Sequence, residues 1–183
     1  MKDKKLLLDI KEYLKCYEDQ VLEDWYELIR HISVSETGEG IEACCDWIQK
    51  KMEEIGIQVT KYSVKPAPVL VGRFGNNPEK KTVLIYAHYD VKPAGERKLW
   101  YSDPFVPTIR DGKVYARGSA DNKSPLMAHL KALEYFIRKK MEVPVNVIFV
   151  FEGDEECGSR GLEEFLAEHR KELAADLVFF SDG

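Results

Sequence analysis

One histidine and a set of carboxylates are the side chains whose types and placement suggest shared chemistry. His88 and Asp90 follow the apolar run VLIYA, and Asp121 follows KVYARG through Ser119 and Ala120. Glu152, Asp154, Glu155 and Glu156 come at the end of NVIFVF, and Asp182 follows DLVFF. Each has a plain structural reading. H-x-D is common, Asp121 before Asn122 suits a turn or a helix cap, and an acidic run suits a solvated loop. The series is more telling, because every member lies just beyond an apolar, strand-like segment and the gaps along the chain are similar. Open α/β sheets bind ligands in the crevice outside the carboxyl ends of their strands. Four such ends predict one acidic crevice that contains an imidazole.

Carboxylates gathered at low dielectric repel one another. Either their pKa values rise or cations neutralise them. An imidazole among them favours zinc or manganese over magnesium. Two ions sharing a carboxylate would polarise a carbonyl and activate water near neutral pH, and a Glu is suited to move the proton. The chemistry predicted is metal-assisted hydrolysis. A magnesium-dependent phosphoryl-transfer domain would use similar acidic strand ends, but His88 and the lack of a Gly-rich phosphate loop speak against it.

The elements that must position these groups follow from periodicity. Leu6, Ile10, Leu14, Tyr17, Val21, Trp25, Leu28 and Ile32 recur at helical spacing with no Gly or Pro between them. They predict one long amphipathic helix, or two joined by a kink. Ile41, Cys44, Ile48, Met52 and Ile55 form a second stripe that Gly56 closes. IQVTKYSV and VLVGRF read as strands, and KTVLIYAH and VNVIFVF as strands buried on both faces. Asp111-Gly112 between FVPTIR and KVYARG is a hairpin signal. Helices are expected over Leu126 to Lys140 and Leu162 to Leu173, with DLVFF as the last strand. The alternation predicts an α/β fold: a three-layer sandwich with a largely parallel mixed sheet covered by helices.

The chain has 183 residues, 44% hydrophobic and 32% charged, with net charge −5. That composition supports a buried core. A mildly acidic chain without a basic block argues against nucleic acid as a partner. Its apolar runs fall short of the roughly 20 residues of a spanning helix, and Asp9 and Lys11 break the N-terminal stretch, so neither membrane insertion nor a signal peptide is expected. Cys16, Cys44, Cys45 and Cys157 form no CxxC pair, which predicts free thiols in a reducing cytoplasm.

The stretches VLIYAHYDVKPAG, WYSDPFVPTIRDGKVYARGSADNKSP, FVFEGDEECGSRGL and FFSDG resemble the co-catalytic zinc metallopeptidase family. That family includes carnosinase-type cytosolic dipeptidases, glutamate carboxypeptidases, aminoacylases, and acetylornithine and succinyl-diaminopimelate deacylases. The resemblance covers nearly the whole chain. It implies His88 as ligand to one metal, with Asp90 orienting it through the other ring nitrogen. It implies Asp121 as the bridging ligand, followed by a cis peptide to Asn122. Glu155 becomes the general base, Glu156 a ligand to the second metal and Asp182 the last ligand to the metal held by His88. The expected cofactors are two divalent metal ions, zinc foremost, with manganese or cobalt as alternatives. Asp at position 182 and the HYDVKP and WYSDPF stretches resemble the dipeptidase branch, so the substrate implied is a dipeptide or similar short amide.

The resemblance also implies that residues 1–183 are an N-terminal portion of the catalytic domain. The lid or dimerisation domain that would make the expected homodimer, the C-terminal catalytic portion and a further His ligand would then lie elsewhere. One metal site is nominally complete with His88, Asp121 and Asp182; the other has only Asp121 and Glu156. On this reading the chain alone is expected to be inactive or weakly active. The alternatives are a non-catalytic metal-binding or interaction fragment that needs a second chain, or a deacylase or carboxypeptidase of the same family.

Overall fold

The unbroken apolar period at the N-terminus becomes a single helix, α1 (Lys2–Arg30), in the computed structural model, which describes residues 2–182. A loop leads into α2 (Ile41–Glu54), which buries Ile41, Cys44, Cys45, Ile48 and Met52. β1 (Gln58–Tyr62), β2 (Val69–Phe74) and β3 (Thr82–His88) follow. Then come the short strands β4 (Thr108–Arg110) and β5 (Lys113–Tyr115), α3 (Lys123–Arg138), β6 (Asn146–Glu152), α4 (Leu162–Glu168) and β7 (Leu177–Phe180).

Five strands form one mixed sheet in the order β1-β2-β6-β3-β7. β3 runs parallel to both β6 and β7, while β2 runs antiparallel to β6 and β1. Four of the five strands therefore point the same way, with β2 reversed. Side chains alternate across the sheet as the pleat requires. Val147, Phe149 and Phe151 of β6, with Leu70 of β2, join Leu28, Ile48, Met52, Leu126 and Leu130 from α1, α2 and α3. Ile148 and Val150, with Val69, Val71, Leu84 and Tyr86, face the other way and meet Phe165 of α4 and Leu173. Helices thus cover both faces, and the arrangement is the three-layer sandwich expected. All of β6 is buried, whereas Leu177–Phe180 of β7, at the sheet's end, are exposed.

Two expectations need correction. Among the described residues β5 does not join the main sheet; it pairs with β4 in a separate hairpin, around Asp111 and Gly112, both at positive φ (51° and 71°). Positive φ at both central residues suits a type I′ turn, so the turn was legible although the sheet it served was not. Asp121 is consequently carried by the turn that leads into α3, not by the end of a central strand. The helix expected over Leu162 to Leu173 is also shorter: α4 stops at Glu168, and Leu173 reaches the core from the turns beyond it.

Candidate metal centre

β3 and β6 lie in register, with His88 opposite Glu152, so the segments that follow them emerge side by side. The close approach there is permitted by Gly153, where a Cβ would lie 2.5 Å from the ring of buried Tyr89. His88 is fully buried. Its Nδ1 lies 3.1 Å from the carbonyl oxygen of Asp90 and 3.3 Å from Asp90 Oδ1. Its Nε2 points the other way, 3.0 Å from Asp121 Oδ1, 3.6 Å from Asp182 Oδ1 and 3.8 Å from Glu155 Oε2. The sheet and the turn before α3 thus place three carboxylates around one imidazole nitrogen.

Asp90 does more than hold the ring. It is fully buried, and its two oxygens accept the backbone N–H groups of Glu155 and Glu156, each at 3.1 Å. One carboxylate therefore fixes both the imidazole and the 3-10 turn Glu155–Cys157 that carries the acidic pair. A second buried carboxylate, Asp154, braces this turn through a two-pronged pair with Arg160, at 2.9 Å from Nε and 2.6 Å from Nη2. The peptide bond from Asp121 to Asn122 is cis.

Electrostatics follow the geometry. Burial works to lower the His88 pKa, but the hydrogen bond and charge of Asp90, with the charges of Glu155 and Asp121, outweigh it and hold the group up at about 9. Burial would raise Asp90, yet its hydrogen bond to His88, that ring's charge and the Glu156 amide keep it below the ordinary carboxylate value. Glu155 is pushed up, first by partial burial and then by the like charges of Asp182, Glu156 and Asp90, against the pull of His88. A carboxyl raised in this way is better matched to proton transfer near neutral pH.

Donor atoms of His88, Asp121 and Asp182 all lie within 4.8 Å of one another. One imidazole nitrogen with carboxylate oxygens suits zinc, manganese or cobalt, so these residues fit a divalent ion. Glu155 borders the group. Glu156 is not brought into it: its carboxylate pairs with Lys92 at 3.3 Å, and Lys92 also donates to its carbonyl.

Residues 84–182 match the model of Peptidase family M20/M25/M40, a span that contains His88, Asp90, Asp121, Glu155, Glu156 and Asp182. The chain belongs to this family. Among curated proteins, it is 43% identical over 138 residues to the Cys-Gly metallodipeptidase dug1 of Schizosaccharomyces pombe, covering 72% of this chain and 29% of that protein. It is 40% identical over 117 residues to the Beta-Ala-His dipeptidase of Mus musculus, covering 63% of this chain and 24% of that protein. The crystal structure of human carnosine dipeptidase 1 superposes with a TM-score of 0.90 at 29% identity, over 94% of this chain and 40% of that one. This M20/M25/M40 chain therefore spans less than a third of the length of these two curated relatives. Among its described residues, no helix is long and apolar enough to cross a membrane.

The side chains of two neighbours of Asp121 have roles that the sequence does not reveal. Asn122 is fully buried, and its side-chain amide donates to the carbonyl of Ser181 and to Asp182. Lys123 is fully buried as well, donating to the carbonyls of Leu28 and His31 at the end of α1. Asn and Lys are mostly surface residues, and the partners of these two lie far along the chain, so no local signal marked them.

Proposed function

We propose that the whole protein hydrolyses a dipeptide or a similar short amide, and that residues 1–183 supply an N-terminal portion of its catalytic domain. The observation that carries this reading is the convergence of His88, Asp121 and Asp182, with Glu155 Oε2 only 3.8 Å from the same imidazole nitrogen. The names of the two curated relatives support a dipeptide as substrate.

In this reading His88, Asp121 and Asp182 hold one divalent ion, and Asp121 with Glu156 contributes to a second, zinc foremost. Ions bound there would supply carbonyl polarisation and activation of water. Glu155 takes a proton from the attacking water and passes it to the leaving amine nitrogen; its raised pKa supports both halves of that role. Asp90 keeps the Glu155–Glu156 turn in place through the two hydrogen bonds its carboxylate accepts, and the His88 ring aimed through its carbonyl at 3.1 Å and its carboxylate at 3.3 Å from Nδ1. Glu156 serves as a ligand once its carboxylate leaves Lys92. A cytoplasmic setting is supported by the four free cysteines, and a homodimeric assembly by family resemblance.

The test starts with metal uptake. The chain is equilibrated with zinc, manganese or cobalt and dialysed, and the metal per polypeptide is counted beside His88→Ala. Uptake that His88→Ala abolishes supports the centre, and no uptake refutes it. Hydrolysis is then followed in the full-length protein with Cys-Gly, β-Ala-His and an N-acyl amino acid. Cleavage of the acyl amino acid with both dipeptides untouched would move the assignment to a deacylase of the same family.

A further inference from the structure

We propose that Asn122 is a positioning residue for the metal centre. Its side-chain amide would hold Asp182 in the place from which that carboxylate reaches the cation site. The inference rests on the metal-binding reading of His88, Asp121 and Asp182.

Asp182 needs an anchor that its own strand does not provide. It follows β7, whose four residues are exposed and whose ladder, among the described residues, is to β3 alone. Its carboxylate stands 3.6 Å from His88 Nε2, longer than the 3.0 Å of Asp121. Among the described residues, the side-chain hydrogen bond recorded for Asp182 comes from Asn122, at 3.1 Å to Oδ1. The same nitrogen donates at 2.6 Å to the carbonyl of Ser181, the residue just before it.

Asn122 is fixed where Asp182 is not. It is fully buried, its carbonyl accepts from Leu126 at the start of α3, and it sits between Asp121 and the buried Lys123. Lys123 in turn donates to two carbonyls at the C-terminal end of α1, at 3.1 Å to Leu28 in its last turn and 2.6 Å to His31 just beyond it. A frame of two helices thus ends in one carboxamide aimed at one carboxylate. The residue that follows the ligand Asp121 in sequence holds Asp182 in space, although 60 positions separate Asn122 from Asp182.

The chemistry of the side chain fits this task. A carboxamide offers two N–H donors on one nitrogen. Here both acceptors, a carbonyl and a carboxylate oxygen, face that nitrogen, and turning the amide over would set oxygen against oxygen. The side chain's own oxygen is buried with no hydrogen-bond partner among the described residues. What this side chain achieves is therefore its donation toward Ser181 and Asp182. A neutral donor also steadies the carboxylate without competing with a cation for its charge, as a Lys would.

Cobalt(II) alone is the probe, because its visible absorption reports ligand number and geometry independently of turnover. Binding is titrated in the chain and in Asn122→Ala, Asp182→Ala and the double variant. Asn122→Ala is expected to weaken cobalt affinity by about 10–100-fold and to alter the visible band. In the Asp182→Ala background it should have no further effect. Asn122→Ser, too short to span to Asp182 yet still polar, should match Asn122→Ala and serves if the alanine variant does not fold. Wild-type affinity in Asn122→Ala or Asn122→Ser, or an equal loss with Asp182 already removed, would overturn the positioning role while leaving the centre intact. A wild-type chain that binds no cobalt would overturn the metal-centre reading and this proposal with it.

Discussion

Asp90→Asn isolates the carboxylate on which the candidate centre is built, because it keeps the shape and removes the charge. Native Asp90 accepts on both oxygens, from the amides of Glu155 and Glu156 at 3.1 Å each, and its Oδ1 stands 3.3 Å from His88 Nδ1 as an ion pair. However the asparagine is turned, its NH2 group faces a donor, and one buried N–H loses its acceptor. That costs about 1–3 kcal/mol. A second effect depends on pH. His88 stands at about 9 in the folded chain against an ordinary 6.5, with Asp90 the leading upward influence against burial. A group raised in this way contributes its full stabilisation below pH 6.5 and loses it as pH rises through about 9. The gap is worth about 3 kcal/mol in the metal-free protein.

With asparagine at position 90, only Glu155 and Asp121 remain to oppose burial, so most of that pH-dependent term disappears. Urea unfolding with a chelator present, at pH 6 and pH 10, measures the difference between the two proteins. The variant should be markedly weaker at pH 6 and closer to wild type at pH 10, the gap narrowing by about 2–3 kcal/mol. An equal deficit at both pH values would refute the claim that Asp90 holds a protonated His88.

Metal uptake should compete with the same proton: in titrations run in buffers of differing ionisation enthalpy, about one proton should leave per ion bound at pH 7, and uptake without proton release would contradict the pKa assigned to His88. Glu155→Gln in the full-length protein should lower kcat by about 10²–10⁴-fold with metal content unchanged; loss of metal at an unaltered residual rate would rule out its role as base. Gly153→Ala drives a methyl group to within 2.5 Å of the Tyr89 ring, whose hydroxyl is held by the carbonyl of Pro68. It should cost about 1–3 kcal/mol, and a thermal midpoint equal to wild type would show that this contact relaxes freely.

Much of the framework could be read from pattern. The stripe from Leu6 to Ile32 lacks any Gly or Pro, so α1 runs unbroken. The continuous apolar run of β6 becomes a strand buried at every position. What pattern could not supply was partnership across distance. KVYARG has the alternation of a strand, but nothing local says that it pairs only with β4, so Asp121 was placed on the wrong kind of support. The acidic run after Phe151 looked uniform. The fold divides it: Glu152 accepts from Tyr86 and Ser159, Asp154 binds Arg160, Glu155 borders the His88 group and Glu156 faces Lys92. Four acids that composition cannot tell apart are distinguished by neighbours up to 67 positions away.

The exposed row Leu177–Phe180 has a consequence for handling the protein. Among the described strands, β7 ends the sheet, so its outer rim offers unpaired amides and carbonyls beside apolar side chains such as Phe180, 67% exposed. Such a rim templates association with any extended polypeptide, including another copy of itself. Raising the concentration of this chain should drive rim-to-rim oligomers. Because Asp182 lies two residues beyond Phe180, those oligomers would crowd the candidate centre as they grow, linking colloidal behaviour to metal access.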